Sequence, residues 1–308
     1  MDIGISANFP WFGPRFADLA RHLEQLGFES MWTGEHIIIP VEIADPFRYG
    51  VPLPKNYKHM PDPFMNFAAA SAVTSTLKFG MDVCLVTQRE PLVLAKMAAT
   101  LDRISNGRLI IGAGYGWIPE ESAIFGIPMD ERVRRSSEII RILKTIWNEE
   151  EPSFAGEYYS FPKIHSNPKP LTPGGVPILI GSGGPRTDNG RALRRVAELA
   201  DGWVPSSMSP EKIRDDLARL RQLCAETGKD YDALDITMIL PAIYLGLGDK
   251  PDWGQNIKAQ GTPEEMIPQY EEAGVKRLII GMVDMVDDSA FRNIEAVAKG
   301  LGLTPRPA

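Results

Sequence analysis

The histidine with the best position for proton chemistry is His36, which follows Glu35 directly after the apolar segment at residues 30–33. An imidazole changes its charge near neutral pH, so it can give or take a proton, and a neighbouring carboxylate can orient a substrate. A histidine bonded to a nearby carbonyl group and a glutamate in a plain salt bridge are the structural alternatives. We predict His36 and Glu35 as catalytic residues, with His36 as the proton donor.

A second candidate site is a glycine-rich segment that leads into a predicted helix. It consists of Gly181, Ser182, Gly183 and Gly184. Glycine N–H groups and a helix N-terminus together form an anion site, and hydroxyl groups after the next predicted strand would add donors. Those hydroxyl groups belong to Ser206 and Ser207. Ordinary loop glycines and helix-capping serines are the alternative, but the segment predicts a phosphate site.

A third candidate is a row of alternate glycines, Gly112, Gly114 and Gly116, after another apolar run. Because glycine has no Cβ atom, such a segment lets a flat ligand approach the backbone closely. The rings of Tyr115 and Trp117 could stack on that ligand. Turn glycines explain the same spacing equally well. We interpret the segment as a glycine-rich exit loop beside a flat ligand.

The elements that must position these residues alternate between strands and helices along the chain. Alternation implies parallel strand pairing with right-handed crossovers. Eight such units form a (β/α)8 TIM barrel, whose active site lies where the strands end. A doubly wound sheet is the alternative, but no G-x-G-x-x-G follows the first strand. The predicted strands begin at Asp2, Ser30, Phe79, Arg108, Pro177, Gly202, Ile236 and Arg277.

Two long segments interrupt this alternation. Residues 37–63, after the second strand, are rich in proline and aromatic residues and show no period. Long loops of this kind inside a domain are usually functional, so we predict a lid or pocket wall. Residues 149–175, between the fourth and fifth strands, predict a small hairpin and an extended tail. No composition change marks a boundary, so residues 1–308 are predicted to form one domain.

The composition argues against several classes of protein. The chain has 308 residues, 44% of them hydrophobic, and a net charge of −7, which disfavours nucleic acid or an anionic membrane as a partner. The two cysteines have no disulfide or zinc spacing. No signal peptide or membrane-spanning run is evident, so we predict a cytoplasmic protein. Since no acidic cluster suits a metal, we predict a cofactor that carries the chemistry.

Four segments together resemble the luciferase-like monooxygenase superfamily of flavin- and deazaflavin-dependent oxidoreductases. They are SMWTGEH, PLVLAKMAATLDRISNGRLIIGAGYGW, KPLTPGGVPILIGSGG and AELADGWVP. The likeness covers essentially the whole chain and is nearest to the group assigned to coenzyme F420, a deazaflavin. It implies a (β/α)8 barrel, usually a homodimer, that holds the cofactor ring at the carboxyl-terminal mouth.

The resemblance also implies roles for individual residues. A bulge with a non-proline cis peptide is expected behind the ring, near Asp82, Val83 and Cys84. The acid that the sugar-phosphate dehydrogenases of the family carry after the fourth strand is Tyr115 here, and their lysine aligns with Ser209. The first departure argues against that activity, and the second argues against a firm grip on an extended anionic deazaflavin tail. The full set of predicted cofactor-binding residues is Asp82, Val83, Cys84, Gly112, Gly114, Tyr115, Gly181, Ser182, Gly183, Gly184, Ser206 and Ser207.

These observations predict a redox enzyme. It would use reduced F420, or alternatively FMN, to reduce or mono-oxygenate a small and hydrophobic organic substrate, with a reductase supplying the reduced cofactor. A two-component FMN monooxygenase is one alternative, distinguished by cofactor choice and oxygen uptake. A non-catalytic flavin-binding protein is the other, because acid–base residues are few, and it would bind flavin without substrate-coupled reoxidation.

Overall fold

The computed structural model describes residues 1–44, 53, 55–184, 187–247, 260–282 and 285–305. Within them, eight parallel strands close a barrel, and each strand pairs with its neighbours in the order of the chain. The predicted (β/α)8 fold is confirmed. The barrel strands are β1 Asp2–Ser6, β2 Ser30–Thr33, β3 Lys78–Leu85, β4 Leu109–Gly114, β7 Ile178–Gly181, β8 Gly202–Val204, β9 Asp235–Pro241 and β10 Arg277–Gly281.

Helices cover the outside of the barrel and begin at residues that suit a helix N-terminus. Side chains of Asp62, Glu90 and Ser209 accept hydrogen bonds from the first turns of their helices, each with a proline next. Proline is favourable there because its missing N–H would be unpaired anyway. The helices are α1 Phe16–Leu26, α2 Pro63–Ser71, α3 Pro91–Ile104, α4 Pro119–Ile124, α5 Arg132–Asn148, α6 Gly190–Leu199, α7 Pro210–Thr227, α8 Pro263–Ala273 and α9 Ser289–Gly300.

Two sequence-based boundaries need correction, and one helix has to be added. Helix α2 begins at Pro63 rather than residue 66, because the Asp62 side chain accepts a hydrogen bond from Met65 N at 3.2 Å. The strand predicted over residues 236–245 ends at Pro241, and a 3₁₀ turn occupies Ala242–Leu245. The short helix α4 was not predicted at all. Among the described residues, no helix has both the length and the apolar character that crossing a membrane requires.

The interior of the barrel is filled by side chains. A cluster separate from the main core contains Trp32, Ile110, Leu179, Val204 and Ile279, which lie on five different strands. Inward-pointing side chains of a TIM barrel pack in this way. The main core lies between the strands and the surrounding helices. The barrel is therefore closed below its mouth, and a ligand can enter only at the strand ends.

The predicted hairpin between β4 and β7 is formed by the strands β5 Phe154–Ala155 and β6 Ser160–Phe161. A buried carboxylate fixes the tail that follows it. Asp102 on α3, fully buried, accepts hydrogen bonds from the backbone N–H groups of Leu171 and Thr172 at 2.7 and 2.8 Å. The insertion is thus tied to the barrel, and it leaves the mouth to the strand-end loops.

Candidate active site at the barrel mouth

A cleft of about 180 Å³ opens where β1, β2 and β3 end, and we call it the His36 cleft. A larger depression, about 320 Å³, lies on the outer side of the barrel between α3, α5 and the hairpin. We assign the site to the His36 cleft because the strand ends bring polar side chains together there. The cleft is lined by Asn8, Gly34, Glu35, His36, Tyr57, Met60, Asp82, Val83, Leu85 and Trp117.

The imidazole of His36 is held by a buried carboxylate that the sequence did not indicate. Nδ1 of His36 lies 3.1 Å from both carboxylate oxygens of Glu121, which is fully buried on α4. A carboxylate only accepts hydrogen bonds, so Nδ1 carries the hydrogen and Nε2 becomes the nitrogen that exchanges a proton. The pair has the geometry of an oriented acid–base group.

Aromatic rings fix the plane of the same imidazole. The ring of Tyr57 stacks on His36 with centroids 4.9 Å apart, and Trp117 meets it edge-on at 6.1 Å. Tyr57 belongs to the predicted lid at residues 37–63, of which residues 45–52 and 54 lie outside the described part. The described lid residues therefore form a wall of the His36 cleft.

Glu35 is occupied by the protein itself. Its carboxylate accepts hydrogen bonds from Leu85 N at 2.6 Å and from the guanidinium of Arg89 at 2.5 to 3.2 Å. Arg89 also bonds to Asp62 at 2.8 Å, so the group joins the end of β2 to the segment after β3. This arrangement fits a residue that positions its neighbour His36 better than one that handles protons.

The third strand ends in the bulge that the resemblance implies. The Asp82–Val83 peptide is cis, and the register with β4 shifts between Asp82 and Cys84. Ser6 Oγ donates to Asp82 Oδ2 at 2.5 Å. Burial raises the pKa of Asp82 to about 7, against the hydrogen bond from Ser6, which lowers it. A carboxyl group in this state is neutral over part of the physiological range.

Protein atoms fill the space that the missing side chains of Gly112 and Gly114 leave. Gly112 and Gly114 belong to β4 and are buried. A Cβ atom on Gly112 would lie 2.2 Å from Met81 O, and one on Gly114 would lie 2.2 Å from Val83 Cγ2. Gly181 faces the other methyl group of Val83 at the same distance. These glycines therefore accommodate the bulge.

Cys84 lies at the bulge, but its side chain does not line the cleft. Its side chain is completely buried in the core, and burial raises the pKa of its thiol. A side chain enclosed in this way makes no contact with a ligand in the cleft. Of the three predicted bulge residues, Asp82 and Val83 line the cleft and Cys84 does not.

The fit between Val83 and the glycines can be tested by a paired substitution. Gly114→Ala is expected to lower the free energy of unfolding by about 1–3 kcal/mol, because the new methyl group overlaps Val83. Adding Val83→Ala should recover part of that loss, as seen in a double-mutant cycle from urea denaturation. Gly281→Ala is the control, since its Cβ would meet only ordinary contacts at 3.7 Å. Strictly additive effects would contradict the packing that we describe.

The conformation of the predicted phosphate loop, residues 181–184, is set by a hydrogen bond from Trp203 and by the backbone angle of Gly183. Trp203 Nε1 donates to Ser182 O at 2.8 Å, and Gly183 has a φ of +113°, which a side chain rarely adopts. Ser182 Oγ is buried without a hydrogen-bond partner among the described residues. The hydroxyl groups of Ser206 and Ser207 lie 3.2 Å from each other. This loop retains donors for an anion.

Next to the phosphate loop, two arginines enclose Tyr115, and we call the three residues the tyrosine–arginine cluster. The guanidinium groups of Arg132 and Arg195 each lie 5.3 Å from the centroid of the Tyr115 ring. Both Nε atoms are buried without a partner, and no carboxylate of the described chain forms an ion pair with either group. Tyr115 follows β4 and the phosphate loop follows β7, which are paired strands. The cluster adds unneutralised positive charge to that side of the mouth.

The chain thus combines a closed parallel barrel with an oriented histidine on one side of its mouth and candidate anion donors on the other. The family can be stated as well. The model of the luciferase-like monooxygenase family matches residues 14–245, and the chain belongs to that family.

The chain is similar to several individual proteins, whose names describe different activities or none. The protein Rv0953c of Mycobacterium tuberculosis strain H37Rv is 31% identical over 288 residues, which cover 92% of this chain and 93% of the relative. An F420-dependent glucose-6-phosphate dehydrogenase of Kineococcus radiotolerans is 29% identical over 245 residues, which cover 77% of this chain and 66% of the relative. The oxygenating constituent of 3,6-diketocamphane monooxygenase from Pseudomonas putida, solved with FMN, has a TM-score of 0.72 at 18% identity and 98% coverage of each chain. At that identity, the solved structure supports the fold alone.

Proposed function

We propose that this chain is an oxidoreductase that uses a flavin-type cofactor, F420 with FMN as the alternative, on a small hydrophobic organic substrate. The observation that carries the proposal is the Glu121-held His36 in a cleft at the mouth of a luciferase-like barrel. When bound, such a cofactor supplies a hydride or, once reduced, activates oxygen. The protein supplies binding, orientation and a proton.

The mouth has the donors that such a cofactor requires. Its phosphate group would find the Ser182 hydroxyl, which has no partner among the described residues, the backbone at Gly183 and the unneutralised charge of Arg195. Oriented N–H groups and cations hold a phosphate in this way. Burial lowers the pKa of Arg195, so an anion beside it would relieve an electrostatic cost that the free protein carries. Of the remaining predicted contacts, we propose that Ser206, Ser207 and Gly184 complete the phosphate site.

His36 is proposed as the proton donor to the substrate or the ring. Glu121 holds its Nδ1, so Nε2 would deliver or accept the proton within the cleft. Tyr57, Met60, Leu85 and Trp117 line the same cleft, and their apolar surfaces favour a hydrophobic substrate and exclude water. We further propose a homodimer and a reductase as the source of reduced cofactor.

FMN is the alternative because of one position after β8. Ser209, where the sugar-phosphate dehydrogenases of the family carry a lysine, caps α7 by accepting a hydrogen bond from Lys212 N at 3.3 Å. Lys212 itself bonds Asp216 at 2.6 Å. A long anionic cofactor tail therefore loses one cationic contact there, whereas FMN has only one phosphate group to hold.

The function is tested by fluorescence titration of the purified protein with FMN and with F420. Arg195→Leu is expected to weaken the preferred cofactor by about 10- to 100-fold, the value of a charged hydrogen bond. Arg194→Leu is the matched control, because Arg194 is exposed on the same helix and, within the described part of the chain, its ion pairs are with Glu198 and Glu226. Its affinity should stay within about twofold of the unmodified chain.

The titrations, together with assays of oxygen uptake and cofactor reoxidation, distinguish the candidate functions. Tight F420 binding with weak FMN binding supports hydride transfer, whereas the reverse, together with oxygen uptake, supports a two-component monooxygenase. Tight binding without substrate-coupled reoxidation would identify a carrier protein. If the protein binds neither cofactor, the proposed function is wrong.

A further inference from the structure

The cleft contains a carboxyl group that the proposed mechanism does not use. Asp82 lies where β3 ends and lines the His36 cleft. Its Oδ2 accepts the hydrogen bond from Ser6 Oγ, while its Oδ1 is buried and has no partner among the described residues. No lysine or arginine of the described chain forms an ion pair with it. A carboxyl group in such surroundings needs an explanation.

The charged groups around Asp82 are already engaged with other partners. Glu35 is paired with Arg89, and His36 is held by Glu121. Tyr57 contributes a phenol to the same cleft, and Cys84, the neighbouring thiol on β3, is held neutral by burial. On β1, the facing group is the uncharged Ser6. No group therefore compensates a negative charge on Asp82, and burial favours its neutral form.

A flat ring in the His36 cleft would cover Asp82. Asp82 and Val83 line the cleft together with His36, so a ring near His36 comes within reach of both. Covering the carboxyl group removes the remaining water and favours the neutral form further. A neutral carboxylic acid has one O–H donor, and a flavin-type ring offers carbonyl oxygens and ring nitrogens as acceptors.

We propose that Asp82 is a second proton-carrying residue of the cleft, which as a neutral carboxylic acid donates a hydrogen bond to an acceptor atom of the bound flavin-type ring. The identity of the ring rests on the proposed function; the proton on Asp82 does not. The proposal makes cofactor affinity depend on pH. Since the ring binds the protonated form, affinity decreases as the pH rises above the pKa of Asp82, about 7.

The first measurement needs no cofactor. The folded state keeps a proton on Asp82 between about pH 4, the unfolded pKa, and pH 7, so this group lowers stability as the pH rises through that window. Asp82→Asn removes the ionisable group but keeps its size. We compare the urea midpoints of Asp82→Asn and of the unmodified protein at each pH. The midpoint of Asp82→Asn minus that of the unmodified protein is expected to be larger at pH 8 than at pH 5, because only the unmodified protein loses stability through this group. An unchanged difference would show that Asp82 is an ordinary ionised carboxylate and would overturn the proposal.

The second measurement is cofactor affinity against pH, with whichever of FMN or F420 binds. The dissociation constant of the unmodified protein is expected to rise by up to about tenfold between pH 6 and pH 8, and that of Asp82→Asn should change much less. Ser6→Ala should move the rise to higher pH, because it removes the hydrogen bond that lowers the pKa of Asp82. His36→Ala is the control and should keep the dependence.

The outcomes separate the two proposals. A pH dependence that survives in Asp82→Asn and disappears in His36→Ala assigns the proton to His36 and overturns the proposal for Asp82. Failure of the unmodified protein to bind either cofactor overturns the proposed function and the ring contact with it. The urea series would then still report whether Asp82 carries a proton.

Discussion

Replacing His36 with alanine is expected to reduce turnover by about 10²- to 10⁴-fold, the usual contribution of a general acid or base. Cofactor affinity should stay within several-fold, because the imidazole lies in the cleft and not among the anion donors near Arg195. Steady-state kinetics and cofactor titration on the same preparation measure both quantities. His165→Ala is the control, since His165 is exposed in the insertion away from the mouth. Unchanged turnover in His36→Ala would remove His36 from the mechanism.

Glu121 extends the same prediction to a positioning residue. Glu121→Gln replaces an acceptor-only carboxylate with an amide that can also donate, so the imidazole can adopt its other tautomer. We expect a smaller loss in kcat than for His36→Ala, with little change in KM. Because the two residues act as a unit, the double variant should be no slower than His36→Ala alone. Additive losses would indicate that Glu121 acts independently of His36.

The barrel could be predicted because its signals are local. Strand–helix alternation repeats along the chain, and helix starts such as Pro210 and Pro263 follow capping residues whose effect acts within one turn. The resemblance predicted the bulge at Asp82 and Val83, which the structure contains. Such features depend on residues that are close in the sequence or on a family pattern. They can therefore be predicted from the sequence before the fold is known.

Glu121 could not be predicted in the same way. It lies 85 residues after His36 on a helix of 6 residues, and only closure of the barrel brings them together. The available signal was a carboxylate just after Trp117 in the order Pro119, Glu120, Glu121, which begins a helix with acidic residues in its first turn. That pattern indicates the start of a helix but does not show that Glu121 contacts His36.

The protein contacts of the alternate glycines could not be predicted for a related reason. Their spacing shows that something approaches the backbone closely, but spacing alone does not show whether it is a ligand or protein. In this fold, the bulge places Val83 between Gly114 and Gly181, and that contact depends on the register of three strands. Asp82 and Val83, rather than the glycines, line the His36 cleft.

The largest effect on stability is expected where Arg277 closes the opposite end of the barrel. Its guanidinium, 5% exposed, donates to Glu29 at 2.9 and 3.0 Å, to Asp235 at 2.6 Å and to Thr237 at 2.9 Å. Arg277→Met leaves Asp235 without its cation and leaves Glu29 with Lys78 alone, 2.8 Å away. Breaking such a partly buried group typically costs about 3–5 kcal/mol. The urea midpoint at pH 7 measures the loss.

The pH dependence of that loss identifies its cause. Burial would raise the pKa of Glu29, but the hydrogen bonds and charge of Arg277, with smaller contributions from Lys78 and Ser30, outweigh it and lower the pKa to about 2. Stability from this group is therefore present above the unfolded pKa of about 4.3 and is lost as the pH falls towards 2. The difference between the unmodified chain and Arg277→Met should shrink between pH 7 and about pH 3.5. Lys163→Met is the control, because it breaks an exposed pair with Glu151 and should lower the free energy of unfolding by less than about 1 kcal/mol.

A loss of stability in Arg277→Met that does not vary with pH would contradict the role of charge. It would assign the effect to packing on Trp32, whose ring centroid lies 5.8 Å from the guanidinium.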